Sequence, residues 1–196
     1  MTTFPATDFV PAVFNGTDWS VVEPLLNALV DREINTAEDY DQWLMDRSEL
    51  EAAIGESAAN TYINMTCDTS DEAKQAAWTS YLENVAPKFK PVGFILDKKL
   101  KELAEKFDKT DGYHEVLYRD TAADVDLFRD DNVPLETELA KLDQEYDKIC
   151  GKMTVEFDGE ERTLPMMGKY SESADRSVRE AAWKAVASRR LEDEEA

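Results

Sequence analysis

The apolar residues in the first part of the chain recur at helical spacing, which predicts long amphipathic helices. A first helix is predicted to begin near Thr17 and Asp18, with Pro24 in its first turns, where a missing N–H is least costly. The stretch Thr36 to Asp39 fits a capping box before a longer helix that ends near Cys67. The predicted buried stripes of the two helices are Val22, Leu25, Leu26, Leu29, Tyr40, Trp43, Leu44, Leu50, Ile54, Tyr62, Ile63 and Met65.

Two prolines interrupt the next helical pattern. The stretch Thr69 to Glu72 is interpreted as a second capping box that begins a helix. Pro87 and Pro91 are expected to break or kink this helix, because proline lacks an N–H and clashes with the preceding turn. Long helices with brief breaks favour helical hairpins or a bundle. The apolar face of this part comprises Ala73, Ala77, Trp78, Tyr81, Leu82, Val85, Phe94, Leu96, Leu100, Leu103 and Phe107.

The last third of the chain predicts helix, hairpin and helix in succession. A helix is expected from Asn132 and Pro134 to Gly151, with a buried stripe. Alternation on either side of Asp158-Gly159 then predicts a tight β-hairpin, and a final helix follows from about Asp175. The buried stripe is predicted to be Leu135, Leu139, Leu142, Tyr146 and Ile149, and the inner face of the hairpin Met153, Val155, Phe157 and Leu164.

These patterns together predict a mainly α fold: a helical bundle or long helical hairpins, with one small β-hairpin near the C-terminus. Two regions are expected, residues 1–110 and residues 111–196, packed as one lobe. The helical pattern has neither cap nor turn from Leu191 to Ala196, which predicts that the natural chain continues.

The charge balance narrows the classes of partner. The chain of 196 residues has 43 acidic and 22 basic side chains, a formal net charge of −21. Such a field repels phosphate backbones and anionic lipids, so neither nucleic acid nor a membrane surface is an expected partner. Basic peptides, divalent cations or solubility alone remain compatible with this charge.

The cysteines and the chain start predict a cytoplasmic protein. Cys67 and Cys150 are far apart and in no metal-binding or redox spacing, so reduced thiols are expected. The start, Met1 to Pro5, lacks the basic and apolar regions of a signal peptide, and no apolar run is long enough for a membrane span.

His114 is the only histidine and the main candidate for metal chemistry. The run from His114 to Tyr118 begins like a His-Glu-x-x-His zinc helix, but Tyr118 stands where the second imidazole is needed. We therefore expect His114 to be an exposed or partly buried helix residue. Cys67 has no histidine in its own segment and is interpreted as a buried structural thiol rather than a nucleophile.

Other charged or aromatic groups also have simple structural interpretations. The aspartates between Asp120 and Asp131 lack the glycine and glutamate of a calcium loop and are typical of a charged helix face. Glu136 and Glu138 are explained by the positive end of a helix dipole instead of by acid–base catalysis. The four tryptophans are expected to pack in the core. The cationic cluster, too small to reverse the overall charge, comprises Lys88, Lys90, Lys98, Lys99 and Lys101. We therefore predict no catalytic, cofactor-binding or metal-binding residue in this chain.

Several short segments of the sequence resemble segments of one protein family, and they occur in the same order and at the same spacing as in that family. They are Trp43-Leu44, Ser48 to Ala53, Tyr62 to Thr69, Pro87 to Pro91, Leu127 to Arg129, and the stretch from Pro134 to Asp193. Over some nine-tenths of the chain they are similar to the oligoendopeptidase F group of zinc metallopeptidases, related to thimet oligopeptidase.

This resemblance implies the N-terminal lobe of a peptidase that cleaves short peptides. The family fold is a mainly helical shell around a deep channel, and the chain would form one wall of it. Zinc, held by a His-Glu-x-x-His helix and a later glutamate, would belong to a downstream catalytic domain that this chain lacks. The expected partners are that domain and short peptides, with self-association possible for the isolated lobe. The alternatives are a stand-alone acidic helical interaction module and an independent metal-dependent enzyme.

Overall fold

Helices dominate the part of the chain that this computed structural model describes, residues 8–194. The helices are α1 (Trp19–Asp31), α2 (Ala37–Cys67), α3 (Glu72–Asn84), α4 (Ala86–Lys106), α5 (Glu115–Leu127), α6 (Asn132–Gly151), α7 (Gly168–Ser171) and α8 (Arg176–Leu191). The strands are β1 (Thr154–Phe157) and β2 (Glu160–Thr163), and short 3₁₀ turns occupy Gly112–His114 and Pro165–Met167. The mainly α fold with one late hairpin is thus confirmed. The start at Met1 to Pro5 and the last two residues, Glu195 and Ala196, lie outside the described residues.

The main hydrophobic core lies between α1, the first half of α2, and α4. The stripe predicted for α1 is confirmed, since Val22, Leu26 and Leu29 are fully buried. Trp43 of α2 is also fully buried, and its indole N–H donates to the carbonyl of Leu29 at 3.0 Å. This hydrogen bond satisfies the polar end of a large side chain and joins α2 to the C-terminal end of α1.

Side-chain caps begin three of the helices where the sequence indicated a start. Asp18 caps α1 and Asp175 caps α8, each accepting from a backbone N–H two residues later. Thr36 and Asp39 form the predicted capping box before α2. The second capping box is wrong: Asp71 caps α3 by accepting from two backbone N–H groups, so the helix begins later than the pattern indicated.

The two prolines behave differently. The chain bends at Val85, between α3 and α4, and Pro87 lies in the first turn of α4, where its missing N–H needs no partner. Pro91 lies inside α4 without ending it. The predicted interruption is therefore confirmed at Pro87 only.

A network of charged side chains joins α1, α2 and α4 beside the core. Arg47, only 8% exposed, donates to Glu51 at 2.7 Å and to Asp97 of α4 at 2.5 Å. Burial by itself would lower the pKa of Arg47, but these two carboxylates more than compensate and raise it. Lys99 of α4 donates to the carbonyl oxygens that end α1.

The β-hairpin has the predicted turn. Asp158 and Gly159 both have left-handed backbone conformations, with φ of 57° and 74°, as a type I′ turn requires. The strands pair antiparallel, with Thr154 opposite Thr163, Val155 opposite Arg162, Glu156 opposite Glu161 and Phe157 opposite Glu160. The Phe157 ring packs against Tyr170, with 4.8 Å between centroids, so the hairpin lies on the segment that leads into α8. The predicted inner face is covered: Met153 is buried, and Val155, Phe157 and Leu164 are half-buried.

No helix in the described part of the chain is both long and apolar enough to cross a bilayer.

Candidate interface on helix α6

The apolar stripe of α6 faces away from the bundle. Leu135, Leu139, Leu142 and Tyr146, here called the α6 seam, are 66%, 58%, 61% and 67% exposed. Ile149 at the end of the stripe is half-buried. The prediction that this stripe is buried is therefore wrong. The side chains that were predicted to be buried thus form a continuous, exposed apolar surface on one helix.

The opposite face of α6 packs on the bundle through polar side chains. Thr79 of α3 donates to the Gln144 side chain at 3.0 Å, and the Tyr62 hydroxyl of α2 donates to Asp147 at 2.8 Å. The hydrogen bond to Asp147 raises the pKa of Tyr62, because it stabilises the protonated phenol. At 100° per residue, Gln144 lies about half a turn from the centre of the α6 seam. Periodicity alone predicted the reverse orientation.

Ion pairs reinforce this orientation. Lys90 of α4 pairs with Glu136, and Lys141 pairs with Glu83 of α3 at 2.9 Å. The pKa of Lys141 is raised mainly by its hydrogen bond to Glu83. Specific polar partners on α3 and α4 thus fix which face of α6 turns inward.

A groove lies at the C-terminal end of the α6 seam, between α6, the hairpin and the end of α8. Its volume is about 530 Å³. Its wall is mostly apolar, with one carboxylate on α6 and two charged groups at the end of α8, and comprises Leu142, Glu145, Tyr146, Ile149, Cys150, Met153, Leu164, Pro165, Arg190 and Asp193. A hydrogen bond with the Cys150 thiol raises the pKa of Tyr146. The seam and the groove thus form one continuous apolar surface with a concave end.

The positions that flank the α6 seam are acidic. Glu136 and Asp143 lie along one side, and Glu138 and Glu145 along the other, as their spacing on the helix requires. Glu138 approaches Lys141 at 3.6 Å, and it remains 72% exposed at its side chain. The surface is therefore an apolar strip between two acidic edges.

His114 lies in the 3₁₀ turn before α5 and is half-buried. Its ring packs edge-on against Tyr40, at 6.3 Å between centroids, and against Tyr113 at 5.3 Å. The expectation of a partly buried residue is confirmed, and the contacts are those of a packing residue.

The described residues do not fit a zinc site. They contain no group of three or more His, Cys, Asp or Glu side chains placed to hold a metal ion. Asp120, Asp124 and Asp126 are exposed on α5, and Asp130 and Asp131 are exposed in the connection to α6. These carboxylates are the solvated acidic surface that the sequence predicted.

Two interpretations of single residues are wrong. Cys67 is exposed, not buried, because the last turns of α2 extend past the core formed with α1 and α4. Glu136 and Glu138 lie beyond the first turn of α6, which begins at Asn132, so their role is ion pairing rather than complementing the helix dipole.

The predicted cationic cluster is used inside the fold. Lys90 and Lys101 pair with Glu136 and Asp126, and Lys99 binds backbone carbonyls. The ammonium groups of Lys88 and Lys98 lie over aromatic rings of Trp19 and Phe94, at 5.7 Å and 5.2 Å. The cluster therefore does not present a free basic surface.

The tryptophans do not share one environment. Trp43 is buried as predicted, and Trp19 and Trp78 are half-buried. Trp183 of α8 is 68% exposed, which contradicts core packing for that residue. It lies two turns before Arg190, so its spacing places it on the helix side that borders the groove.

Sequence reasoning missed the polar residues that orient α6, above all Thr79, Gln144 and Asp147. One signal was available: the face of α6 opposite the seam carries Val133, Thr137, Ala140 and Gln144, which are uncharged, and this is unusual for a solvated surface.

Comparisons with known proteins agree with this fold. The family model of the peptidase M3 N-terminal domain matches residues 9–128. No curated protein matches the chain. The fold is similar to a solved structure described as an oligoendopeptidase F, with a TM-score of 0.81 and 22% sequence identity, over 95% of this chain and 33% of that chain. The chain thus spans about a third of the length of that protein. With its match over residues 9–128, the chain belongs to the peptidase M3 family and carries the N-terminal domain of that family.

Proposed function

We propose that the chain is the N-terminal lobe of an oligoendopeptidase F-like zinc metalloendopeptidase that cleaves short peptides in the cytoplasm. Its regions 1–110 and 111–196 act as one lobe, which forms a wall of the substrate channel and supplies no catalytic residue. Zinc and the general base belong to a downstream catalytic domain. The family match over residues 9–128 carries this proposal.

The exposed α6 seam supports a role as part of a larger protein. An exposed apolar strip of four large side chains on one helix is costly to leave in water, and such patches mark interfaces. The similar solved structure has about twice as much chain beyond the matched part, which is enough to cover this surface.

Two measurements test the proposal. The genomic reading frame should continue past Ala196 into a His-Glu-x-x-His motif. The purified 196-residue chain should neither take up zinc in calorimetry nor hydrolyse a fluorogenic peptide, whereas the longer product should hydrolyse it in a chelator-sensitive manner. Chelator-sensitive hydrolysis by this chain alone would contradict the assignment of catalysis to a downstream domain.

We also propose that the peptidase prefers basic peptides, because the net charge of −21 raises the local concentration of cations. The longer enzyme should then cleave a lysine-containing peptide with higher kcat/KM than its glutamate counterpart, and added salt should reduce the difference. Equal kcat/KM values at low salt would remove this part of the proposal.

A stand-alone interaction module is the second candidate, and the α6 seam also supports it. A module of this kind would be a complete, monodisperse protein with a specific partner unrelated to a peptidase. A stop codon directly after Ala196, with no zinc motif encoded nearby, would favour the module.

A further inference from the structure

We propose that the α6 seam seats one amphipathic helix whose own apolar stripe is flanked by lysine or arginine, and that this helix belongs to the part of the peptidase that the chain does not include. The choice of source rests on the proposed function. The choice of a basic-flanked helix rests on the geometry and charge of α6.

The spacing of the seam fits a helix as its occupant. Its members are separated by four, three and four residues, which is the a and d pattern of a helix that packs lengthwise on another. The 20-residue helix α6 offers about 30 Å for such a contact. Along α6 an extended peptide would find no strand edge, because the backbone of α6 is occupied by its own helical hydrogen bonds.

The charges beside the seam select the chemistry of that helix. The four positions that flank it in the heptad pattern, Glu136, Glu138, Asp143 and Glu145, are all acidic. Facing positions of this kind set the choice of partner in helix pairs, so basic side chains are favoured opposite them. Lys90 pairs with Glu136 and Lys141 approaches Glu138 at 3.6 Å, so the charge toward a partner is carried mainly by Asp143 and Glu145.

A second copy of this chain fits the seam poorly. In a parallel pair of α6 helices Glu138 would face Asp143, and in an antiparallel pair Glu138 would face Glu145. Like charges at these positions destabilise a helix pair. The acidic edges therefore act against self-pairing while the leucines favour a helical partner.

The groove at the end of the seam supplies a socket for an anchor side chain. Leu142 and Tyr146 belong to both the seam and the groove, and Met153 and Leu164 of the hairpin region close the far wall. A large apolar side chain of the docked helix would enter this space and fix the position of the helix along the seam.

Binding of synthetic helices to the full 196-residue chain tests the inference. The probe is a helical peptide of about three heptads with leucine at the seam positions and lysine at the flanking positions. A glutamate-flanked peptide and a scrambled peptide of the same composition as the probe are the controls. Fluorescence anisotropy at low salt should show binding of the lysine-flanked peptide at least about tenfold tighter than either control.

Paired variants separate the seam from general attraction to an acidic protein. The double variant Leu139→Ala/Leu142→Ala should weaken binding about tenfold or more, since it removes apolar area from the contact. The matched variant Val116→Ala/Leu127→Ala removes equally exposed residues of α5, at 57% and 72%, and should leave binding unchanged. The charge reversal Glu138→Lys/Glu145→Lys should remove most of the preference for the lysine-flanked peptide, because only the side with Glu136 and Asp143 then stays acidic.

The possible outcomes distinguish the inference from the proposed function. Equal binding of all three peptides, unchanged binding by the α6 double variant, or a chain that forms dimers through α6 at low salt would overturn the inference. If the chain binds the lysine-flanked peptide selectively but its reading frame encodes no zinc motif, the α6 seam does bind a basic-flanked helix. That helix then does not come from a peptidase. If the longer protein is an active peptidase and Leu139→Ala/Leu142→Ala leaves its melting temperature unchanged, the proposed function holds. The proposal that α6 is a docking site is then contradicted.

Discussion

Lys99 is a charged residue that stabilises the fold by binding the end of another helix. Its ammonium donates to the carbonyls of Leu29, Val30 and Arg32 at 3.0, 2.8 and 2.6 Å. These carbonyls end α1, whose last turn has no basic residue of its own. A cation at this position satisfies orphan acceptors and complements the negative end of the helix dipole.

The substitution Lys99→Met should therefore destabilise the chain by about 2 kcal/mol, because it leaves these carbonyls without their charged donor. Urea unfolding measures the effect. Lys98→Met removes an exposed neighbouring charge that lies over the Phe94 ring, and it should change the free energy of unfolding by less than about 1 kcal/mol. Equal effects of the two substitutions would mean that Lys99 acts only through its charge.

Two glycines provide a second comparison at the residue scale. A Cβ at Gly16 would lie 2.8 Å from the Ile54 Cα, a backbone atom of α2, whereas a Cβ at Gly55 would meet nothing within 4 Å. Gly16→Ala should therefore destabilise by about 1–3 kcal/mol through overpacking. Gly55→Ala, inside α2, should stabilise by about 0.5–1 kcal/mol. Thermal and urea unfolding of both variants check the opposite signs, and a loss of stability in both would contradict the local geometry.

At the scale of elements, the capping box shows local sequence acting directly. The Asp39 carboxylate accepts from the backbone N–H groups of Thr36 and Asn35, and these hydrogen bonds lower its pKa from an ordinary 3.8. A carboxyl whose folded-state pKa is lowered stabilises the fold above its unfolded pKa and loses that contribution as pH falls through the folded value.

Asp39→Asn should accordingly reduce stability at neutral pH, and the difference from the parent chain should shrink as pH falls below about 4 and the parent carboxyl takes up its proton. Urea unfolding over a pH series measures the difference. Glu38→Gln removes a neighbouring exposed charge of the same turn and is the control. A difference from Asp39→Asn that does not depend on pH would contradict the role of the carboxylate.

Helix α6 shows the limit of periodicity at this scale. Its pattern identified a helix with one apolar face, and both points are confirmed. The pattern did not identify what covers that face, because an amphipathic stripe looks the same whether its own domain or another one buries it. The polar contacts to Thr79 and Tyr62 decided the orientation, and they join residues 65 and 85 positions apart.

At the scale of the whole molecule, the apolar α6 seam favours self-association, whereas the net charge of −21 disfavours it. At low ionic strength the acidic edges should keep the chain monomeric. Salt shortens the screening length from about 10 Å at 0.1 M to about 3 Å at 1 M, so dimers should appear as salt is raised. Light scattering coupled to size-exclusion chromatography at several salt concentrations measures the change. Leu139→Ala/Leu142→Ala should abolish the salt-induced dimer, and a dimer that dissociates with salt would contradict the argument.

Much of this protein follows from sequence alone, because its signals are local. Caps, prolines and the Asp158-Gly159 turn act within a few residues, and the core stripes of α1 and of the first half of α2 act through a regular period. The prediction is wrong for Tyr62 and Ile63 in the second half of α2, which are 39% and 52% exposed because this half extends past the core. Short stretches spread along the chain also indicated a zinc metallopeptidase family, and the match of the peptidase M3 N-terminal domain over residues 9–128 confirms the peptidase M3 family.

Only the tertiary structure decided which faces meet and which remain open. Contacts between residues far apart in sequence determine which face of α6 packs on the bundle, and they place Lys99 at the end of α1. The packing of whole elements likewise leaves Trp183 and Cys67 exposed. Local patterns indicate that a segment forms a helix with one apolar side. They carry no information on the partner that removes this side from water, since burial depends on the three-dimensional arrangement of all the elements.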